Sequence, residues 1–457
     1  MPLEFTLHCP TGNCEEIHVT RGQTATGETA VPSEAAAPPL ALGLRLNLSL
    51  MMFLEFAVWG SWYVVFYPYL TSKGFSDEQA GALIGNFALG AIFSSLFAGY
   101  IADRYFASER MMAVLHLVGA GLLYWMAQIQ NKDDYWLLFV VSLAYASLYN
   151  PTLTLANAIT FRHVPDAARD FPSIRVFGTL GWIAVGFLID VLFASGGSTA
   201  ADTNGPLLLA AGFSVVLSLY CLFLPHTPPT ARTSEALPFL KAVGLFKDFS
   251  FAVFFGVSFV ITIVLAFYFT NTSAFLKQAA GVTQIGSIML IGQVCELIFL
   301  PLLPFFLWRL GMKWVLALGM LCWGLRYALF AQGGPAGLPF ALVIAGVALH
   351  GFCFDFFFAA GFIYVDNEAP RDIRASGQAL FSFLTYGVGM WLGSLLAGKL
   401  AGLYTTGNVT DWRRFWLVPS IGVFASLTVF VLFFRRRASQ QKLTPLYADN
   451  TDKKTVN

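Results

Sequence analysis

Apolar runs of about twenty residues recur along most of this chain, and they leave few folds open to it. They fall at about 46–70, 79–102, 111–130, 135–161, 174–195 and 206–225. After a polar stretch at 226–250 they resume at about 251–275, 284–308, 313–332, 336–365, 374–403 and 414–434. A helix needs about 20 residues to cross roughly 30 Å of hydrocarbon. Within that layer each backbone N–H and C=O must find its partner inside the segment, so runs of this length become transmembrane helices. Of 457 residues only 12% are charged, about half the share typical of a soluble domain. The expectation is an all-α membrane protein of about twelve helices in two six-helix halves. A polar, disordered cytoplasmic tail at 1–45 precedes bundles at 46–225 and 251–434. A cytoplasmic loop at 226–250 joins them, and a cytoplasmic tail follows at 435–457.

Orientation follows from the basic residues of the short loops. One side carries Arg104, Arg110, Arg162, Arg169, Arg232, Lys241, Lys247, Arg309, Lys313, Arg371, Arg374 and the run Arg435-Arg436-Arg437. The other has Lys73, Lys132, Lys277, Arg413 and Arg414. The richer side is cytoplasmic, which puts both termini and the central loop there. A formal net charge of +1 argues against nucleic acid as a partner. Four of the six cysteines (Cys221, Cys295, Cys322, Cys353) lie in apolar runs, where they pack as small apolar residues. Cys9 and Cys14 form a C-x4-C pair in the tail with no second pair to complete a four-sulfur site, and neither metal nor cofactor is expected.

Glu296 and Asp355 lie deep inside apolar runs. A carboxylate there costs about 2.5–3.5 kcal/mol on insertion scales and is kept mainly where it faces a wet interior and handles protons, ions or polar substrates. With no G-x-x-x-x-G-K-[ST] phosphate loop, an ion gradient is the expected driving force. Isolated carboxylates and a histidine suit a proton better than sodium. No H-E-x-x-H or Ser/His constellation suggests an enzyme.

The halves echo each other. GYIADRYFASER (99–110) follows the second run and PFFLWRLGMK (304–313) follows the eighth, each a short basic hinge. Paired halves with matching hinges suggest parallel repeats around a site near the midplane. Gly99-x-x-Ala102-Asp103-Arg104 with Arg110 resembles the signature loop of the major facilitator superfamily. LEFAVWGSWY (54–63), DFPSIRVFGTLGW (170–182), GQVCE (292–296), FDFFF (354–358) and IRASGQ (373–378) resemble blocks of the bacterial nucleoside:proton symporters, in order across about 46–434.

The resemblance implies a proton-coupled nucleoside importer of the bacterial inner membrane, working as a monomer by alternating access. It implies substrate contacts from Arg175, Thr179, Trp182, Gln293, Glu296, Phe354 and Asp355, with Asp355, Glu296 and His350 in proton coupling. Asp103, Arg104 and Arg110 are expected to act in gating. Two departures stand out. His350 occupies a position where the family pattern has tyrosine. The seventh helix reads VLAFYFTNTSAF, without the family's glutamine and asparagine contacts. Either Asn271 and its polar neighbours substitute from a shifted position, or the substrate differs. The alternatives are another small polar substrate, such as a sugar, and a receptor that has lost transport.

Helical spacing supports part of this list. Arg175, Thr179 and Trp182 are i, i+4 and i+7, and Gln293 and Glu296 are i and i+3, each set on one face. A guanidinium, hydroxyl and indole can hold a ribose edge and a planar base. Amide and carboxylate oxygens accept from hydroxyls or base N–H groups. Asp355 lies five residues after His350, roughly on one broad face, as a pair that could load and release a proton. Three more polar residues fall in apolar runs: Glu55, which could face the cavity; His116, read as a packing histidine; and Arg326, read as a structural cross-helix partner.

Overall fold

A computed structural model describes residues 38–105, 107–229, 238–334, 337–370, 373–407 and 409–435, with the side chains at 95–105 among those left undescribed. The first crossing is split into α1 (Leu42–Gly60) and α2 (Tyr63–Ser72). Ser61 Oγ donates back to the Ala57 carbonyl at 2.7 Å at the break. α3 (Asp77–Tyr105), α4 (Ser108–Gln128), α5 (Tyr135–His163), α6 (Ala167–Phe193) and α7 (Gly205–Tyr220) complete the first half.

The second half begins with α8 (Phe249–Gln278), α9 (Ile285–Phe299) and α10 (Leu303–Ala331). Gly311, with φ of 76°, breaks α10 into the end of one crossing and the whole of the next. α11 (Gly337–Ala348), α12 (His350–Phe354), a π-helical turn at Asp355–Ala359 and α13 (Ala360–Glu368) form a single crossing. So do α14 (Arg374–Ser382), a second π-helical segment at Phe383–Gly389 and α15 (Met390–Tyr404). A two-stranded hairpin, Thr405–Thr406 with Val409–Thr410, leads to α16 (Trp412–Phe433). Among the described residues ten helical stretches are long and apolar enough to span a bilayer. α3 and the break at Gly311 bring the crossings to twelve, as the apolar runs suggested.

The packing is that of helices in lipid. Leu, Val, Phe and Trp side chains such as Val114, Leu117, Trp125, Val191 and Leu432 point outward and exposed, an apolar belt that only hydrocarbon would cover. Small residues mark the close approaches, because association in lipid depends on tight backbone packing. A Cβ at Gly181 of α6 would stand 2.2 Å from the Phe53 carbonyl of α1. Aspartates cap the incoming turns: Asp166 accepts from Arg169 N and Asp248 from Phe251 N, each satisfying an otherwise unpaired donor.

The halves meet chiefly where α3 packs on α15, α2 on α8 and α6 on α9. With an even number of crossings the two described termini share one end of the bundle. The other, far end holds the seam shut. There the Cα of Gly398 in α15 lies 2.7 Å from where a Cβ on Gly81 of α3 would stand. Asp190, near the end of α6, reaches across to the start of α9, accepting from Ser287 N at 2.6 Å and Gly286 N at 3.3 Å. Lys277 at the end of α8 binds Asp202, in the turn before α7, at 2.5 Å. Over these contacts lies a vestibule of about 810 Å³ lined by Asp77, Glu78, Lys277 and Gln278 among others.

Candidate substrate site

Between the halves lies a smaller, mainly aromatic cavity of about 250 Å³. Its wall includes Trp59 and Tyr63 from the first crossing, Phe87 from α3, Asn150 from α5, Phe269 from α8, Phe354 and Tyr386. Trp59 stacks on Phe87 at 4.6 Å and meets Trp182 of α6 edge-on at 5.1 Å. Gly60 makes room for that indole, since a Cβ there would lie 3.2 Å from the Trp182 ring. Asn150 donates its amide nitrogen to the carbonyls of Phe87 and Ala146, which ties α5 to α3 beside Pro151.

The charged groups gather beside this cavity. Arg175 does not run out to the interface; its guanidinium lies over the Phe56 ring at 4.2 Å. It faces Glu296 of α9 across the seam, within electrostatic reach. Asp355 also lies within reach of Glu296's charge, as does Tyr386. Among the described residues one oxygen of the buried Asp355 carboxylate has no hydrogen-bond partner, and the same is true of His350 Nδ1. Half-buried Thr179 and Gln293 likewise take no hydrogen bond from the described residues.

The geometry rearranges some sequence expectations. The nearest acid to His350 is Glu296, at 3.9 Å from Nε2 to Oε2, rather than Asp355. The His350 ring lies parallel to Tyr268 at 5.2 Å. His350–Phe354 is α-helical, and at 3.6 residues per turn five residues turn the side chain by about 140°, so the two groups point to different sides. Asn271 is fully buried and does not line the cavity, so it does not replace a seventh-helix contact there; α8 contributes Leu265 and Phe269 instead. Arg326 finds no carboxylate. It lies over Tyr268 at 4.2 Å and donates to the Gly346 carbonyl at 2.9 Å. The side chains of Asp103 and Arg104 lie outside the described residues. Arg110 is exposed at the start of α4, 4.0 Å from Glu109, whose carboxylate is held by His226 and Thr227 N. Sequence reasoning missed the cavity's aromatic wall because rings are scattered through every helix, with no spacing that singles out Trp59, Phe87, Phe269 and Tyr386.

A profile of the family described as "Nucleoside H+ symporter" matches residues 42–439. The chain belongs to that family. This symporter is 36% identical over 420 residues to the putative nucleoside transporter YegT of Escherichia coli, covering 89% of this chain and 97% of that protein. It is 32% identical over 416 residues to the nucleoside permease NupG of the same organism, covering 86% and 95%. A crystal structure of NupG superposes on it with a TM-score of 0.78 at 31% identity, over 87% of this chain and all of that one. Peptide transporters of the POT family share the fold at 11–14% identity, with TM-scores of 0.63–0.67. The symporter is therefore a multi-pass membrane transporter of the major facilitator fold that takes up nucleosides with protons.

Proposed function

We propose that nucleoside is held between the halves, with Arg175, Thr179 and Trp182 on one side and Gln293, Glu296, Phe354 and Asp355 on the other. The single observation that carries this reading is that Arg175 and Glu296 lie within electrostatic reach of each other across the seam, near an Asp355 oxygen with no partner among the described residues. A polar ligand bridging them draws on both halves, so its binding energy favours the conformations in which both halves reach it. Asp355, Glu296 and His350 carry the coupled proton, because protonating one acid relieves its repulsion with the other. Asp103, Arg104 and Arg110 act in gating.

The placement proposed is the bacterial inner membrane, with both termini cytoplasmic and one chain as the working unit. The basic residues clustered in the loops at the terminal end support the orientation. The described state is then closed toward the outside. The domain organisation follows: bundles at 46–225 and 251–434, with cytoplasmic segments at 1–45, 226–250 and 435–457.

Uptake of radiolabelled uridine and adenosine into proteoliposomes, with and without an inward proton gradient, tests the reading. Gradient-driven accumulation abolished by a protonophore is expected, and lost in Arg175→Ala and Glu296→Gln. Unchanged affinity in both variants places the site elsewhere.

A further inference from the structure

Behind the cavity wall, wholly inside the first half, lies a second acid–imidazole pair that nucleoside binding does not use. Glu55 of α1 is fully buried, and so is His116 of α4. Glu55 Oε2 is 2.9 Å from His116 Nε2, and Glu55 Oε1 is 2.6 Å from Thr152 Oγ1 of α5. His116 Nδ1 is 3.1 Å from Ser214 Oγ of α7.

The hydrogen bonds can be satisfied in two ways. With a neutral imidazole beside an ionised glutamate, Nε2–H donates to Glu55 Oε2 and Ser214 donates to Nδ1. With one proton more, Nδ1 also carries a hydrogen, and Ser214 turns its own to the His116 carbonyl at 2.9 Å while accepting from the ring. Ser214 therefore has an acceptor in either state. Thr152 is built to follow the change. Its single hydrogen can go to Glu55 Oε1 or to the Tyr149 carbonyl, also 2.6 Å away.

The other titratable groups around the pair are Tyr145 and Tyr149 of α5 and Cys221 past the end of α7, which feel the charge of Glu55, and Arg175 of α6, which acts on Tyr149. Tyr149 donates to the Glu55 carbonyl at 2.7 Å, and among the described residues no second acid or base bonds the carboxylate. The route to the cavity is short. Glu55 lies one turn before Trp59, and Thr152 lies between the cavity residues Asn150 and Leu153.

We propose that Glu55 and His116 form a proton-binding site of the first half, whose hydroxyl partners Ser214 and Thr152 can accommodate it with or without its proton. Its proton moves between bulk water and the pair during each cycle, in addition to the proton handled by Asp355, Glu296 and His350. No bond other than to that proton forms or breaks.

The test is the steady-state uridine accumulation of proteoliposomes at a fixed pH difference, with wild type, Glu55→Gln and His116→Asn. Each coupled proton supports about tenfold accumulation per pH unit. Both variants should therefore accumulate about tenfold less at one unit while still exchanging uridine. Wild-type accumulation in either folded variant overturns the proposal. Should both fail to fold, Ser214→Ala, which removes the hydroxyl that bonds Nδ1 and the His116 carbonyl, is expected to shift the pH midpoint of uptake. An unmoved pH profile in that variant likewise overturns it, because a purely structural pair would lose stability without changing the proton dependence.

Discussion

At the residue scale, three oppositely placed charges do most to define the site. In the proposed site Glu296 is within electrostatic reach of an attractive Arg175 and a repulsive Asp355. Asp355→Asn keeps shape and polarity but removes an acid. The expected outcome is loss of gradient-driven accumulation with uridine exchange preserved, read by comparing net uptake with counterflow in the same vesicles. In the proposed site Arg175→Ala and Glu296→Gln would each remove a charge-assisted hydrogen bond to the nucleoside, worth about 1.5–3 kcal/mol. Their uridine affinity should fall by about tenfold or more, measured by calorimetric titration. The pairing of individual side chains was only partly legible in the sequence. Arg175, Thr179 and Trp182 could be set on one face from helical spacing. That His350 approaches Glu296 rather than Asp355, or that Glu55 meets His116 sixty-one positions away, could not, because both depend on which helices are neighbours.

At the element scale, the far end is shut by contacts that only this conformation can make. Gly286 begins the turn of α9 that Asp190 caps, and a Cβ there would lie 2.2 Å from the Gly186 carbonyl of the opposite half. Gly286→Ala should overpack the closed seam by roughly 1–3 kcal/mol and spare the state in which the halves part. Spin labels on the far-end turns should then report a shift toward longer distances. Asp202 is a second clasp. Burial raises its carboxyl, but hydrogen bonds from Lys277 and Thr199 outweigh that and hold it below the ordinary range. A depressed folded value means the clasp is fully present above the ordinary carboxylate value of about 3.9 and is lost only as pH falls through the lower one. Asp202→Asn should therefore loosen the far end, seen as faster labelling of a nearby cysteine. The shape of the uptake profile between pH 5 and 8 should stay unchanged. Neither clasp is marked in the sequence, because each depends on the fold bringing α9 against Asp190 and α8 against Asp202.

At the scale of the whole molecule, two halves close around one seam, and transport is the exchange of one closed end for the other. Such a cycle is reversible, so the direction of flux follows the gradient. Vesicles preloaded with uridine and given an outward proton gradient should expel it, with about a tenfold change in the steady-state ratio per pH unit for each coupled proton. A ratio indifferent to the gradient would mean facilitated diffusion.

What the sequence determined by itself was the helical membrane architecture: the number of crossings, their rough limits and the division into halves. Those follow from the cost of exposing backbone polar groups and charges to hydrocarbon, a cost each segment meets alone. What only the tertiary structure decided was which helices touch. Contact between helices depends on small residues and shape at positions far apart in the chain. From it came the aromatic cavity, the Arg175–Glu296–Asp355 cluster, the closed far end and the buried Glu55–His116 pair.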